Sequence, residues 1–401
     1  MESYIVVGGG IAGLTAANAL ADAGHGVKLL EQSERLGGRA STLEERGYRL
    51  NFGPHALYRA GQAMRIFREW DIPMPGSSPV YGNHAWLFYG PDRYRFFADY
   101  SGISGTSMFD ECAKREAEQL MRLFVSGPLA IGETMEHWLT RHTRSERVRH
   151  FGAAMVRLRT YSADLQWLDA AAGQEQFRTG ASQGVLYVDG GWQTLIEGLA
   201  QRARARGVEI RCGEPVDRLD AFDDAGVVLA VPPAAVERIA GARLPDLPPV
   251  RMSCLDLGLR KLPEGATGFG LGVDRPLYLS VHSLAAKLAP EGAAVAHIAK
   301  YLDSTQPGGC DRAELEEFAD LAIPGWRGEA EVTRFLPNMT VVHSAVIPHG
   351  RPDVDVLGRQ GVVVAGDWIG PEGMLANAAA ASGLRAARAL QTCNPLARST
   401  S

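Results

Sequence analysis

The chain has 401 residues, of which 46% are hydrophobic and 22% are charged, and its formal net charge at pH 7 is −5. This length allows two domains with separate cores or one large interleaved unit, and the composition is typical of a globular protein. The negative charge argues against electrostatic binding of nucleic acid by the chain as a whole.

Cysteine spacing and hydropathy bear on the compartment. The chain has five cysteines without a C-x-x-C pair: Cys112, Cys212, Cys254, Cys310 and Cys393. This scatter predicts neither a metal site nor a disulfide framework. The N-terminus lacks the basic segment of a signal peptide, and no apolar run approaches the roughly 18 residues of a membrane span. We therefore expect a cytoplasmic protein without a transmembrane segment, and leave open a peripheral membrane contact through an apolar loop.

The N-terminal residues have the pattern of a strand, a helix and a second strand. Residues 4–7 are apolar on both faces, as in a strand buried within a parallel sheet. Residues 11–23 predict a helix that ends at Gly24, and residues 27–30 predict the second strand. The segment is therefore predicted to form a βαβ unit.

Glycines between the first strand and the helix point to a ligand. Gly8, Gly10 and Gly13 have the G-x-G-x-x-G spacing, which allows a sharp turn, a close approach of the backbone to a pyrophosphate, and close packing of helix on strand. The unpaired amides of Ile11 and Ala12, at the positive end of the helix dipole, would face the phosphates. This pattern predicts a dinucleotide-binding loop.

An acidic residue closes the unit. Glu31 follows Gly13 by 18 residues, at the place where a carboxylate accepts hydrogen bonds from an adenosine ribose and repels a 2′-phosphate. We include its neighbour Gln32 among the predicted binding residues. The loop alone does not choose between NAD and FAD.

The middle of the chain predicts inserted structure. Residues 85–89 and 93–97 flank a Gly-Pro-Asp turn and predict a β-hairpin. Residues 106–176 are mostly helical in pattern. Within them, the arginine-rich stretch 141–159 favours an exposed helix with a solvated basic face over a phosphate-binding or membrane-binding patch.

A second group of nucleotide-domain elements follows a Gly190–Gly191 turn. Residues 193–206 predict an amphipathic helix, and residues 208–211 and 227–230 predict buried strands. The proline-rich residues 244–249 predict a connection between domains.

The last third of the chain predicts two further features. Residues 254–259, 277–284 and 295–301 have the pattern of strands in a second sheet. A β-branched strand at 362–364 then meets a glycine turn and an alanine-rich helix that starts near Met374, which is a second strand-turn-helix cradle.

The chain therefore alternates between two domains. The predicted nucleotide-binding segments are 1–60, 184–245 and 355–395, and the predicted substrate-domain segments are 61–183 and 246–354.

Residues 31–40, with the pattern Glu-x-x-x-Arg-Leu-Gly-Gly-Arg-Ala, resemble the second glycine motif of the superfamily of flavin amine oxidases, protoporphyrinogen oxidases and phytoene desaturases. Residues 190–210 and the Gly366–Asp367 turn extend this likeness over most of the chain. The resemblance implies an α/β fold: a Rossmann-like FAD-binding domain of the glutathione-reductase and p-hydroxybenzoate-hydroxylase type, with an interleaved α+β substrate domain. It also implies non-covalent FAD.

The resemblance also implies individual roles. By position, the expected FAD-binding residues are Gly8, Gly10, Ile11, Ala12, Gly13, Glu31, Gln32, Gly37, Gly38, Arg39, Gly53, Pro54, His55, Val216, Gly366, Asp367, Met374 and Leu375. Asp367 is expected to accept a hydrogen bond from a ribityl hydroxyl. The candidate catalytic residues are His55, which falls where the family passes its backbone along the flavin, and Arg334 and Asn338 near the substrate side.

Two departures bear on the reaction. Met374–Leu375 stands where amine oxidases commonly place an aromatic residue, and Ser253 lies near the position of their water-ordering lysine. We therefore expect an FAD-dependent dehydrogenase or oxidase that forms a C=C or C=N bond in a largely apolar small metabolite, with oxygen or a quinone as electron acceptor and no metal. The alternatives are an amine oxidase that holds its substrate with Trp326, Trp368 or Tyr89, and a redox-neutral FAD-dependent isomerase.

Overall fold

The computed structural model describes residues 3–97, 100–222, 225–306 and 308–392. Cys393 and the end of the last predicted domain segment lie outside these residues. Within them the strands are β1 (Ser3–Val7), β2 (Gly26–Glu31), β3 (Thr42–Glu45), β4 (Tyr48–Asn51), β5 (Leu57–Tyr58), β6 (Gly76–Ser77), β7 (Ala85–Tyr89), β8 (Asp92–Arg95), β9 (Val185–Val188), β10 (Glu209–Cys212), β11 (Gly226–Leu229), β12 (Val250–Leu259), β13 (Phe269–Gly272), β14 (Leu277–Val281), β15 (Ala294–Leu302), β16 (Ala330–Val342) and β17 (Val362–Val364).

The helices follow the same order. They are α1 (Ile11–Asp22), α2 (Gln62–Glu69), α3 (Tyr100–Gly105), α4 (Glu111–Ser126), α5 (Met135–His142), α6 (Glu146–Thr160), α7 (Ala170–Gln183), α8 (Gln193–Ala205), α9 (Pro233–Ala240), α10 (Arg312–Ala322), α11 (Trp326–Glu329) and α12 (Leu375–Thr392).

A parallel sheet of five strands, in the order β10-β2-β1-β11-β17, forms the centre of the nucleotide-binding part. Val6 of β1 lies between Leu29 of β2 and Val228 of β11, and all three are fully buried. Helix α1 packs against α8 and α12. The strands come from three separated stretches of chain, and the arrangement confirms the predicted Rossmann-like α/β fold. The exact domain bounds stay a prediction.

A second, mixed sheet has the strand order β16-β12-β15-β14-β13-β7-β8. It contains the predicted strands of the last third of the chain and the predicted hairpin, whose arms β7 and β8 pair antiparallel. The strand predicted over 277–284 ends at Val281, because a 3-10 turn begins at His282. Small sheets, β3-β4 and β5-β9-β6, connect the two large ones.

The structure of the arginine-rich stretch 141–159 differs from the single solvated helix that the sequence predicts. It divides between α5 and α6, and α6 lies inside the helical layer, where Phe151 and Met155 are fully buried. Arg157 and Arg159 are only 9% exposed. Their guanidinium groups donate to backbone carbonyls, those of Gly272 and Val273 for Arg157 and of Met155 for Arg159. Arginine is tolerated here because carbonyl oxygens take the place of water.

Substitution at Phe151 tests the burial of α6. Because Phe151 packs against Phe97 and Phe109, we expect Phe151→Ala to reduce the free energy of unfolding by about 3–5 kcal/mol. The exposed Arg144, just before the helix, provides the control, and Arg144→Ala should change the free energy by less than about 0.5 kcal/mol. Chemical denaturation followed by circular dichroism measures both; equal effects would contradict the buried position of α6.

Candidate functional site

A cavity of about 450 Å³ lies between the carboxyl edge of the parallel sheet and the mixed sheet. This is the edge at which open parallel sheets bind their ligands. Its lining includes residues that follow β1, β2, β11 and β17, together with Met252 of β12 and Met339 of β16. Phe52, residues 54–56, Tyr161 and Trp192 also line it. Residues distant in the sequence thus converge on one space.

Most of the predicted cofactor residues face this cavity. Those in its lining are Gly8, Gly10, Ile11, Ala12, Glu31, Gln32, Gly37, Gly38, Arg39, Pro54, His55, Val216, Gly366, Asp367 and Leu375. Gly13, Gly53 and Met374 lie outside the lining: a Cβ on Gly13 would lie 1.9 Å from the Gly8 carbonyl oxygen, one on Gly53 would meet the Met339 side chain, and Met374 belongs to the core beneath the helical layer. For these three residues the structure shows packing contacts, and their roles toward the cofactor stay predictions.

The first glycine loop shapes the phosphate end. Gly8 has φ +106°, which permits the turn out of β1, and the contact at Gly13 lets α1 cross the sheet closely. Helix α1 starts at Ile11 without a side-chain cap and without an acidic residue in its first turn. Its first amides therefore have no partner within the helix. They leave the helix terminus available to an anion.

The second glycine loop closes over the first. The Gly37 amide donates to the Gly9 carbonyl at 2.9 Å, so the two loops are held together. A Cβ on Gly10 would have the Gly37 oxygen, 3.9 Å away, as its nearest neighbour. This opening between two backbone loops fits a pyrophosphate, which needs backbone within contact distance and no side chain in the way.

Glu31 is oriented by backbone amides. Its Oε2 accepts from the Gly9 amide at 2.7 Å and its Oε1 accepts from the Ser33 amide at 2.9 Å. A carboxylate has about four acceptor positions, so two remain for ribose hydroxyls. Val216 lines the same end of the cavity, and so does Glu214, which the sequence interpretation did not select.

Asp367 forms an ion pair with a residue from the opposite end of the sequence. Its Oδ2 accepts from Arg39 Nη1 at 2.6 Å, and its Oδ1 lies 3.2 Å from His343 Nδ1. Burial alone would raise the pKa of Asp367, but the Arg39 guanidinium and His343 hold it well below its usual value. The carboxylate is therefore charged at neutral pH. His343 was missed in the sequence because no motif surrounds it; only the pairing across the cavity reveals it.

His55 is enclosed by backbone. Its Nδ1 lies 3.0 Å from the Gly53 carbonyl oxygen and its Nε2 lies 3.1 Å from the Arg39 carbonyl oxygen. Burial lowers the pKa of His55 to about 4, and the nearby Arg39 and His297 act in the same direction. Trp192 meets the imidazole edge to face at 4.7 Å. The buried indole Nε1 of Trp192 has no hydrogen-bond partner among the described residues, although Trp192 lines the cavity. An acceptor inside the cavity fits this orphaned donor.

The other two catalytic candidates lie outside the cavity lining. Arg334 holds the buried Asp256 through two hydrogen bonds, at 2.8 and 2.6 Å, and its Nη2 also donates to the Asn51 carbonyl. Asn338 lies on β16, one residue before Met339, which does line the cavity. Ser253, near the expected lysine position, donates to the Pro337 carbonyl, and its strand neighbour Lys300 has its Nζ 2.8 Å from Glu314. The described lining contains no lysine.

A buried cluster was not foreseen from the scattered cysteines. Ligand-type atoms of Cys254, Asp256 and His297 lie within 4.8 Å of one another. Burial would raise the pKa of Asp256, but His297 and Arg334 lower it, and burial beside Asp256 keeps the pKa of the Cys254 thiol well above its usual value. Hydrogen bonds join these side chains: the Cys254 thiol, His297 and Arg334 all contact the Asp256 carboxylate.

One part of the cavity wall is apolar and belongs to the core cluster of the helical layer and the mixed sheet. Phe52, Tyr161, Met252, Met339 and Leu375 form it. Tyr161 has φ +62° and Leu375 has φ +56°, a conformation that side chains other than glycine rarely adopt. The Tyr161 hydroxyl donates to the Pro54 carbonyl at 3.2 Å. Two strained residues thus point into the same part of the cavity.

The three aromatic residues that the sequence suggests for holding an amine lie in different parts of the structure. Trp368 lines the cavity, whereas Trp326 donates to Asp320 in the core behind the mixed sheet. Tyr89 packs against His150 and under Arg147, away from the lining. The expectation for Trp326 and Tyr89 is therefore wrong, because their strand and helix positions turn the rings away from the cavity.

The fold and the cavity define a nucleotide-binding flavoprotein of the Rossmann type. Residues 11–237 match the family described as flavin containing amine oxidoreductase, which is more than half of the chain. The chain belongs to this family, and FAD is its cofactor. It is thus an FAD-dependent oxidoreductase, as the sequence predicts. No helix of the described residues is both long and apolar enough to cross a membrane.

Individual relatives show shorter likenesses. The chain is 36% identical over 159 residues to the carotenoid 3,4-desaturase of Haloarcula japonica, which covers 38% of this chain and 27% of that protein. It is 52% identical over 71 residues to an L-amino-acid oxidase of Demansia vestigiata, covering 17% of this chain and 13% of that protein. The alignments thus span about a quarter or less of these relatives.

A solved structure shows the same fold over nearly the whole chain. An oxidoreductase from Methanosarcina mazei superposes with a TM-score of 0.75 at 18% identity, covering 96% of this chain and all of that one. At this identity the likeness concerns the fold and leaves the substrate open.

A side chain at Gly10 tests the pyrophosphate position. Gly10→Ala should weaken FAD binding by at least about tenfold, or roughly 1.4 kcal/mol, because its Cβ would occupy the space between the loops. The fold should persist, since the nearest atom to that Cβ is 3.9 Å away. Gly328→Ala, at an exposed position with nothing within 4 Å, is the matched control. Titration of FAD-free protein with FAD measures both; unchanged affinity in Gly10→Ala would contradict the position.

The pH dependence of stability tests the environment of His55. The native pKa of about 4 lies below the unfolded value of 6.5, so the unfolded chain binds more protons between these pH values. The free energy of unfolding of the FAD-free protein should therefore fall as the pH is lowered from 6.5 to 4. In His55→Asn this fall should be smaller. Unfolding at a series of pH values measures it, and an identical profile in both proteins would contradict the buried neutral ring.

Proposed function

We propose that the chain is an FAD-dependent dehydrogenase or oxidase that removes a hydride from a largely apolar small metabolite and forms a C=C or C=N bond. The observation that carries this proposal is the apolar wall formed by Phe52, Tyr161, Met252, Met339 and Leu375. It lies in the same cavity as the glycine loops, so a substrate on this wall would adjoin the cofactor.

The distribution of charge supports an apolar substrate. The acidic residues of the described lining are Glu31, Glu214 and Asp367. The first two lie at the ribose end, and Asp367 is paired with Arg39 and His343. Near the apolar wall a cationic substrate would therefore find no free carboxylate, and burial of an unpaired charge is costly.

FAD supplies the hydride acceptor, and the protein has to position the substrate and exclude water. Tyr161, Met252 and Met339 would do so by contact. Burial raises the pKa of Tyr161 well above its usual value, so the phenol stays neutral. His55 is the proposed catalytic group. Arg334 is proposed as a positioning residue, because it fixes the Asn51 carbonyl that precedes segment 52–56. A role for Asn338 stays a prediction.

Oxygen or a quinone is the proposed electron acceptor. We place the protein in the cytoplasm, supported by the wide spacing of its cysteines.

Oxidation of an amine is the second candidate. The rings of Tyr161, Trp192 and Trp368 line the cavity and offer π-faces to a nitrogen substituent. The relative from Demansia vestigiata, an L-amino-acid oxidase, points in the same direction.

Anaerobic mixing distinguishes these reactions. A panel of alkenes, polyenes and cyclic amines is added to the FAD-loaded protein, and the absorbance of oxidised flavin is followed. Bleaching by the apolar compounds supports the first candidate, and peroxide release with amines in air supports the second. A panel that never bleaches the flavin would contradict both, and conversion of substrate without bleaching would indicate an isomerase.

A polar group on the wall tests its contact with substrate. Met339→Gln should raise KM for the bleaching substrate roughly tenfold, because a buried amide left without a partner costs about 1–3 kcal/mol. Met74→Gln, outside the cavity lining, provides the matched control and should leave KM unchanged. FAD content of both proteins should equal that of the wild type. Equal KM in all three proteins would exclude Met339 from the substrate contact.

A further inference from the structure

The hydrogen-bonding positions around His55 do not suit a neutral ring. Both ring nitrogens lie near carbonyl oxygens, Nδ1 at 3.0 Å from Gly53 and Nε2 at 3.1 Å from Arg39. A carbonyl oxygen only accepts, and a neutral imidazole has one N–H. In the neutral form, one nitrogen lone pair therefore faces an oxygen lone pair. Only the imidazolium donates to both oxygens.

The surroundings nevertheless keep the ring neutral in the absence of ligand. Burial lowers the pKa of His55, and two groups that face it add to this: His297 from β15 and the guanidinium of Arg39 from the second glycine loop. Trp192 covers one side of the ring with an uncharged indole. Among the described residues, no carboxylate forms an ion pair with His55. The hydrogen-bond geometry thus favours the protonated ring. What the described surroundings lack is a negative charge that would stabilise this imidazolium.

The cavity is the place where such a charge would arise. His55 lines it together with both glycine loops. FAD held by these loops would supply a hydride acceptor, and acceptance of a hydride would add one negative charge inside the cavity. A negative charge in a buried cavity favours the protonated form of a neighbouring imidazole.

We propose that His55 binds a proton when the flavin is reduced and releases it when the flavin is reoxidised. The inference rests on the proposed function, in which two bonds of the substrate break. The hydrogen of one C–H bond leaves with both bonding electrons, as a hydride that the flavin accepts. The hydrogen of the neighbouring C–H or N–H bond leaves as a proton, which ends on His55. The electron pair left behind becomes the second bond of the C=C or C=N product, so atoms and electrons balance.

The inference gives His55 two functions at once. The ring stores the proton that the substrate loses, and its positive charge offsets the charge gained by the flavin. The Gly53 and Arg39 carbonyls then both accept hydrogen bonds. Since Arg39 also pairs with Asp367, whose carboxylate compensates the guanidinium, Arg39 opposes protonation less than an unpaired cation would.

Nitrogen NMR of the FAD-loaded protein, labelled with ¹⁵N-histidine, tests the proposal directly. The signals of His55 are assigned by their loss in His55→Asn, or in His55→Gln where the first variant does not fold. Near neutral pH we expect one protonated and one bare nitrogen with oxidised FAD, and two protonated nitrogens after photoreduction. His137, whose side chain is 70% exposed, serves as the internal control and should not change with the redox state.

Photoreduction needs no substrate, so this experiment separates two failures. A protein that does not take up FAD would overturn the proposed function. FAD-loaded protein in which His55 keeps the same protonation in both redox states, bare at one nitrogen or protonated at both, would overturn the proton uptake alone. As a second readout, proton uptake per reduced flavin should be one lower in His55→Gln than in the wild type and in His137→Asn.

Discussion

The ion pair between Arg39 and Asp367 is the interaction on which the cavity depends. Asp367 is 3% exposed, so its charge would be very unfavourable without the Arg39 guanidinium 2.6 Å away. The two residues are 328 positions apart and belong to the second and the last glycine turn. The Arg39 side chain is 35% exposed, so water screens part of the interaction, but removal of the guanidinium would still leave the Asp367 charge buried. The pair therefore holds together two halves of a site that the chain supplies from opposite ends.

The parallel sheet makes this pairing geometrically available. Strand β11 lies between β1 and β17, so the turns after β1 and β17 leave the same edge of the sheet two strands apart. The loop between β2 and β3 reaches across that edge and carries Arg39. Because all five strands are parallel, their carboxyl ends lie at one edge of the sheet, and the glycine turns that follow β1, β2 and β17 line one cavity. The mixed sheet then covers the side that the helices leave open.

Local sequence patterns were sufficient to predict those helices and strands whose formation depends on neighbouring residues. The strand before Gly8, the helix after it and the strand ending at Glu31 lie within one or two residues of the prediction. The same holds for β17 and α12, since β-branched residues and a glycine turn determine both locally. Glycine spacing also pointed to backbone segments that line the cavity, because the residues of a phosphate-binding loop are adjacent in the sequence.

The remaining features depend on distant parts of the chain. Arg157 appeared to be a surface residue because arginine is rarely buried, and only the carbonyls at the end of β13 reveal its partners. Tyr161 ends a helix, and no pattern marks it as a cavity residue. Trp326 and Tyr89 were misplaced because a ring's direction follows from the packing of its element. Arg334 was named for chemistry, yet it binds Asp256 inside the protein.

Charged groups line one part of the cavity and apolar side chains line another part. This division limits the reactions that the cavity can support. At the glycine loops lie backbone amides, Glu31 and the paired Arg39, which we expect to hold the charged dinucleotide. At the apolar wall, Met252 and Met339 offer contact without charge. The Tyr161 phenol beside them stays neutral, because burial raises its pKa well above the usual value. Transfer of a hydride to a flavin needs alignment and a dry environment more than it needs acid or base. The apolar wall, rather than any single residue, is therefore the basis on which we propose oxidation of an apolar molecule at this site.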